Sequence, residues 1–168
     1  MPLDRPQHFA GVDGVARARD GARIAYTLHR HERAAARVAL VHSLAMDRRF
    51  WAPVAARLAE SASVLVYDCR GHGDSEKPRG PYTVEGFAAD LADLLDHVGW
   101  DSALVAGASM GGCVALAFAA ANPQRTRALG LIDTTAWYGA NAPAQWEERA
   151  AKALKDGLGA LVAFQTTR

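Results

Sequence analysis

The chain has 168 residues, of which 50% are hydrophobic, and this is enough to bury one core of ordinary domain size. Its formal net charge is +1 and its basic and acidic residues are interspersed, so neither nucleic acid nor an anionic membrane is expected as a partner. Residues 1–10 contain no apolar leader core, and no window approaches about 18 uninterrupted apolar residues. We therefore predict a soluble, cytoplasmic protein whose partner is a small molecule.

The two cysteines, Cys69 and Cys113, stand apart from any metal-binding or redox pattern. Neither lies in a C-x-x-C or His-rich setting. The sequence therefore predicts two buried free thiols, with no disulfide framework and no zinc site.

The chain opens with a predicted antiparallel hairpin, because residues 15–19 and 22–29 alternate in polarity around Asp20-Gly21. Thr83 is placed to cap a helix that runs to about His97. After the hairpin, predicted strands and helices alternate along the chain. In order they are strand 37–41, helix 50–58, strand 63–67, helix 84–97, strand 102–106, helix 110–121 and strand 127–132.

This alternation predicts an α/β fold with a mostly parallel sheet and helices on both faces. The pattern changes after Asp133, where residues 141–156 and 158–168 are predicted to form two helices without a strand between them. We therefore divide the chain into a core at residues 1–135 and the start of a helical cap at residues 136–168.

Residues 107–111 spell G-x-S-x-G at the junction between a predicted strand and a predicted helix. A nucleophile elbow needs this setting, because its serine must stand on a sharp, strained turn with the hydroxyl clear of the sheet. Gly107 and Gly111 lie where a Cβ atom would collide across such a turn. The plainer alternative is a strand-to-helix turn in which Ser109 is merely small.

The order of these motifs resembles the α/β-hydrolase fold superfamily. The motifs that carry the resemblance are H-S-L at 42–44, D-C-R-G-H-G-D-S at 68–75 and G-A-S-M-G-G at 107–112. Within the superfamily, segments 70–83 and 131–139 resemble the 3-oxoadipate enol-lactonases. The resemblance implies that residues 1–135 are the N-terminal part of the hydrolase core, with the last strands of the sheet absent from this chain.

The resemblance also implies roles for individual residues. Ser109 is the expected nucleophile, and the backbone N–H groups of Met110 and Leu44 are the expected oxyanion hole. Ser43 replaces the glycine common in this loop, and it is a candidate for substrate binding together with Trp137 and Tyr138. The two aromatic side chains serve equally well to pack the cap onto the core.

The histidines pose the main difficulty. In this family the triad runs Ser, acid, His along the chain, yet no histidine follows His97. His42 and His72 are expected to brace their loops, as are Asp68 and Arg70 through charge-assisted hydrogen bonds. Asp133 matches an alternative position for the acid used by some relatives, although a turn role is the simpler interpretation.

Two explanations follow. In the first, a second polypeptide carries the C-terminal part of the fold with the Asp and His. The whole is then a hydrolase of an ester or lactone, which forms an acyl-enzyme on Ser109 without a metal or an organic cofactor. We favour it because a bare edge strand would expose core. A C–C bond hydrolase of ring-cleavage products is an alternative enzyme, and the sequence leaves a homo-oligomer open. In the second, the chain is an inactive hydrolase fold that binds a ligand or protein.

Overall fold

A computed structural model describes residues 11–161 of the chain. These residues fall into two compact units that divide between Thr135 and Ala136. The first unit holds a six-stranded sheet and three helices, and the second holds one helix and a 3₁₀ turn. The assignment of the second unit to a cap stays a prediction.

The sheet confirms the predicted fold class. Its strands are β1 (Val12–Arg17), β2 (Arg23–His29), β3 (Arg37–Val41), β4 (Ser63–Tyr67), β5 (Ala103–Ala108) and β6 (Thr126–Ile132). They lie in the order β1-β2-β4-β3-β5-β6. The hairpin β1–β2 and the pair β2–β4 are antiparallel, while β4, β3, β5 and β6 run parallel to one another. The predicted parallel sheet with an antiparallel N-terminal hairpin is thus present.

Helices cover both faces of this sheet. They are α1 (Ala52–Leu58), α2 (Val84–His97) and α3 (Met110–Ala121), with a 3₁₀ turn, Arg48–Trp51, before α1. Alternate residues of a strand point to opposite faces. In β3, Ala39 and Val41 belong to the core under α2 and α3, whereas Val38 and Leu40 belong to the core under α1. The two-sided burial accounts for the uninterrupted apolar run of this strand.

Local signals explain the ends of the elements. Gly21 has a φ of +88° in the turn of the hairpin, where residues other than glycine are strained. The Thr83 hydroxyl accepts a hydrogen bond from the amide of Gly86 at 3.0 Å, so this residue caps α2 as predicted.

The second unit contains α4 (Ala142–Asp156) and a 3₁₀ turn, Leu158–Leu161. The prediction of a helix over residues 158–168 is therefore wrong for residues 158–161, which form only this 3₁₀ turn. Residues 162–168 lie outside the described part of the chain. Gly157 has a φ of +79°, and Gly159 adds a residue with low helix propensity. These two glycines account for the break.

Neither Cys69 nor Cys113 is part of a disulfide. Cys69 is buried, and burial raises the pKa of its thiol to about 12. Cys113 is only half-buried, which corrects the prediction of two buried thiols, because it lies on the first turn of α3 near Thr134. Within residues 11–161, no helix is both long enough and apolar enough to cross a membrane.

Strand β6 is the edge of the sheet among the described strands. Three of its large apolar side chains are exposed, namely Leu129, Leu131 and Ile132, at 38%, 46% and 45%. A parallel strand in an α/β sheet ordinarily has both faces covered. Strand β6 therefore leaves apolar side chains exposed where a parallel strand is ordinarily covered.

Candidate functional site

The candidate nucleophile, Ser109, joins β5 to α3 on a strained turn. Its φ is 51° and its ψ is −116°, a conformation that side-chain-bearing residues rarely adopt. A Cβ atom on Gly107 would lie 2.0 Å from the carbonyl oxygen of Gly111, so the chain reverses too tightly there for a side chain. This is the geometry that the G-x-S-x-G motif predicts.

The turn is packed closely between its neighbours. A Cβ atom on Gly111 would lie 2.2 Å from the carbonyl oxygen of Val41, and one on Gly112 would lie 2.4 Å from Cγ2 of Thr134. The hydroxyl of Thr134 donates a hydrogen bond to the carbonyl oxygen of Ser109 at 2.8 Å. The elbow is thereby fixed from the β3 side and from the segment after β6.

The two predicted oxyanion donors lie at the same edge of the sheet. The amide of Met110 is the first in α3, and first-turn amides have no acceptor within their own helix. Leu44 lies in a turn after β3 that is closed by a 3.2 Å hydrogen bond from the amide of Met46 to the carbonyl oxygen of Ser43. Strands β3 and β5 are parallel neighbours, so both donors follow adjacent strand ends. Their catalytic role stays a prediction.

Ala45 occupies a position in this turn that suits glycine, because its φ is +60°. We expect Ala45→Gly to raise the free energy of unfolding by about 0.5–1 kcal/mol, since the strain of the left-handed region exceeds the entropy that glycine loses on folding. Urea unfolding measures the change. Ala56→Gly, on an exposed position of α1, should instead lower stability by a similar amount. A loss of stability in both variants would contradict the assignment of backbone strain to Ala45.

His42 braces the same loop and is not free to act as a base. Its Nδ1 donates to the carbonyl oxygen of Ser43 at 2.8 Å, and its Nε2 accepts from the amide of Cys69 at 3.0 Å. The ring must therefore be neutral, and burial lowers the pKa of His42 below its ordinary value. The His72 ring, 5.1 Å away between centroids, adds to this effect. The predicted bracing role is confirmed.

This lowered pKa predicts a pH-dependent stability. Because the unfolded chain binds a proton at His42 more readily than the folded chain, the free energy of unfolding should fall as the pH drops below about 6.5. Unfolding in urea between pH 8 and pH 5 measures the slope. His42→Gln keeps an acceptor for the amide of Cys69 but has no titrating group, so its slope should be smaller. Equal slopes would contradict this account.

The loop that follows β4 is organised by Asp68, which is fully buried. Its Oδ1 accepts from the amide of Arg48 at 2.6 Å, and its Oδ2 accepts from the amide of Asp74 at 2.8 Å and from the guanidinium of Arg48. Ser75 is also buried, and its hydroxyl donates to the carbonyl oxygen of Asp68 at 2.6 Å. Sequence reasoning predicted Asp68 but missed Arg48, which lies 20 residues earlier in the chain.

Arg70 holds the other side of this loop, as predicted. Its guanidinium binds Asp90 of α2 through two nitrogens and Asp20 of the hairpin turn at 2.7 Å. Burial raises the pKa of Asp90, although Arg70 opposes the shift. His72 takes its predicted place in the loop, with Nδ1 3.1 Å from the carbonyl oxygen of Arg70.

Asp133 directly follows β6 and is exposed, with a φ of 46°. The amide of Ser109 donates to the carbonyl oxygen of Ile132 at 2.9 Å, so Asp133 follows the strand end next to the elbow. Ala45, Ser109 and Asp133 are the residues other than glycine with positive φ among the described residues. Each follows a parallel strand, so all three lie on the side of the sheet where the strands have their carboxyl ends. Strained backbone of this kind is typical of functional sites. The acid role of Asp133 stays a prediction.

The substrate-binding candidates fall in different units of the chain. Ser43 is half-buried in the turn after β3. Trp137 and Tyr138 belong to the second unit, where both are exposed and Tyr138 packs edge-on against Trp146 at 6.1 Å. Their part in substrate binding stays a prediction.

Comparison with known proteins supports the sequence resemblance. The protein named 3-oxoadipate enol-lactonase 2 in Acinetobacter baylyi is 34% identical over 127 residues, which cover 76% of this chain and 47% of that protein. The crystal structure of the enol-lactonase from Burkholderia xenovorans LB400 is similar with a TM-score of 0.84 and 36% identity, covering 92% of this chain and 59% of that one. The resemblance to enol-lactonases is confirmed.

A thermophilic esterase from Thermogutta terrifontis is also similar, with a TM-score of 0.77 and 32% identity over 90% of this chain and 56% of that one. The chain thus spans about half the length of these three relatives. The family described as alpha/beta hydrolase fold matches residues 37–167, which is more than half of the chain. The chain therefore belongs to the α/β-hydrolase fold family.

Proposed function

We propose that this protein is a serine hydrolase that cleaves a carboxylic ester or lactone through an acyl-enzyme on Ser109. The observation that carries the proposal is the strained turn at Ser109, whose φ of 51° costs stability and has no structural benefit in an ordinary strand-to-helix connection. The amides of Leu44 and Met110, which follow the ends of the adjacent strands β3 and β5, are the two donors that we assign to the oxyanion hole. The enol-lactonase and esterase relatives support this reaction class.

The proposed chemistry proceeds in two steps. First, the Ser109 oxygen bonds to the substrate carbonyl carbon while a base takes the hydroxyl proton, and the negative charge on the carbonyl oxygen is held by the amides of Leu44 and Met110. The bond to the alcohol oxygen then breaks, and that oxygen takes the proton from the base. Second, water loses a proton to the base and attacks the acyl carbon. The serine oxygen leaves with that proton, and the carboxylic acid is released.

We further propose that the base is a histidine on a polypeptide segment outside these 168 residues, together with the main acid. His42 is bound through both ring nitrogens, and the sequence has no histidine after His97. The exposed apolar side chains of β6 are the surface that such a segment would cover. Asp133 remains a second candidate for the acid.

An enol-lactone is the substrate class that we favour, because the enol-lactonase structure has both a higher TM-score and a higher identity to this chain than the esterase structure. The esterase relative makes a general ester the second candidate. Comparison of kcat/KM for a panel of enol-lactones and simple p-nitrophenyl esters separates the two. A preference for simple esters would contradict the lactone assignment and leave the ester-hydrolase assignment intact.

Labelling with a fluorophosphonate tests the nucleophile. The reagent should react at Ser109 in the active preparation, and the modified residue is identified by peptide mass spectrometry. The mass of the intact preparation then shows whether a further segment or a companion chain is present, and sequencing of its peptides shows whether it carries a histidine. Absence of labelling in a preparation that hydrolyses the ester would refute Ser109 as the nucleophile.

A further inference from the structure

Asp68 and Cys69, two adjacent residues of the loop after β4, each form a hydrogen bond to one end of segment 42–48, which contains Leu44. At one end, the amide of Cys69 donates to Nε2 of His42 at 3.0 Å. At the other end, the amide of Arg48 donates to Oδ1 of Asp68 at 2.6 Å. Between these anchors lies the turn with the positive φ of Ala45. The loop after β4 therefore holds both ends of the segment that contains this turn.

Asp68 has no exposed surface, and both of its oxygens are occupied. The guanidinium of Arg48, which binds Oδ2, also binds Asp74 at 2.9 Å and the hydroxyl of Thr27 at 3.1 Å. A buried carboxylate is costly unless it is paired and hydrogen-bonded, so its position is narrowly defined. A displacement of Asp68 would move the amide of Arg48 and, with it, the turn.

We infer that Asp68 is a positioning residue for the oxyanion hole, which acts through the amide of Arg48 to set the direction of the Leu44 N–H. The inference rests on the proposed function, and Asp68, which is fully buried, acts through another group and not on the substrate itself. An oxyanion donor is effective only within a few tenths of an ångström of its place, and a misplacement of about 1 Å costs on the order of 100-fold in rate.

The chain offers a matched control for this role. Asp90 is likewise buried and is likewise paired with an arginine, Arg70. Its described partners tie α2 to the loop after β4 and, through Arg70, to Asp20 of the hairpin, with none in residues 42–48. Loss of this carboxylate should affect stability without affecting the direction of the Leu44 N–H.

The experiment compares Asp68→Asn and Asp90→Asn in the assembled protein that hydrolyses the ester. In Asp68→Asn the new amide group faces two backbone N–H donors with one acceptor oxygen, so one of them loses its partner. We expect kcat to fall about 10- to 100-fold with KM within 3-fold of the parent. A boronic acid, which places an oxygen in the oxyanion hole, should bind about 10-fold or more weakly. In Asp90→Asn, kcat and the affinity for the boronic acid should each stay within 3-fold of the parent.

Gly73→Ala provides a second route, should Asp68→Asn fail to fold, because it keeps the chemical group of Asp68 but displaces it. A Cβ atom on the exposed Gly73 would lie 2.2 Å from Oδ2 of Asp68 and must push it aside. The same loss of kcat and of boronate affinity at unchanged KM is expected. The inference is overturned if Asp68→Asn, or Gly73→Ala in its place, has the same kcat and the same boronic acid affinity as the Asp90→Asn control. A parent protein that neither turns over ester nor labels at Ser109 would instead refute the proposed function.

Discussion

Ser109→Ala is expected to reduce ester turnover by at least about 10⁴-fold, because it removes the proposed nucleophile and leaves only binding and the oxyanion donors. The free energy of unfolding should change by less than about 1 kcal/mol. The Ser109 side chain makes no capping hydrogen bond to α3, and alanine meets the same backbone strain as serine. Steady-state kinetics and urea unfolding of the same preparation measure the two quantities.

Ser102→Ala is the control for this variant. Ser102 directly precedes β5, at the end of the strand opposite to the elbow, and it should keep full activity and full fluorophosphonate labelling. If Ser109→Ala retains more than a few per cent of the parent kcat, Ser109 is not the nucleophile. The inactive-fold hypothesis gains support if the parent and both variants are all inactive.

Gly107→Ala is expected to have the largest effect on stability, with a loss of about 3 kcal/mol or more. The added Cβ atom would lie 2.0 Å from the carbonyl oxygen and 2.1 Å from the carbonyl carbon of Gly111. Both are backbone atoms on the first turn of α3, so relief requires the helix and β5 to move apart. Urea unfolding measures the loss, and recovery of only unfolded protein would agree with it.

Gly159→Ala is the matched control, because a Cβ atom there meets nothing within 4 Å and the backbone has no positive φ. Its stability should stay within about 0.5 kcal/mol of the parent. A Gly107→Ala variant as stable as this control would show that the elbow is looser than the structure describes.

The elements predicted correctly are those whose signals are local. Thr83 as a cap and the Asp20-Gly21 turn act over a few residues, so their effects are visible in the sequence. The error at residues 158–161 arose where the apolar pattern outweighed Gly157 and Gly159. The elbow was also predictable, because its glycines are required by contacts within residues 107–112 and by the neighbouring strands.

The sequence by itself determined the α/β class, the strand and helix order and the place of Ser109, since periodicity and turn chemistry depend on residues close in the chain. Only the tertiary structure decided that Arg48 is bound to Asp68, and that His42 is occupied through both ring nitrogens. These contacts join residues 20 and 27 positions apart. They depend on the pairing of β3 with β4, which brings together the two loops at their ends and which no local pattern encodes.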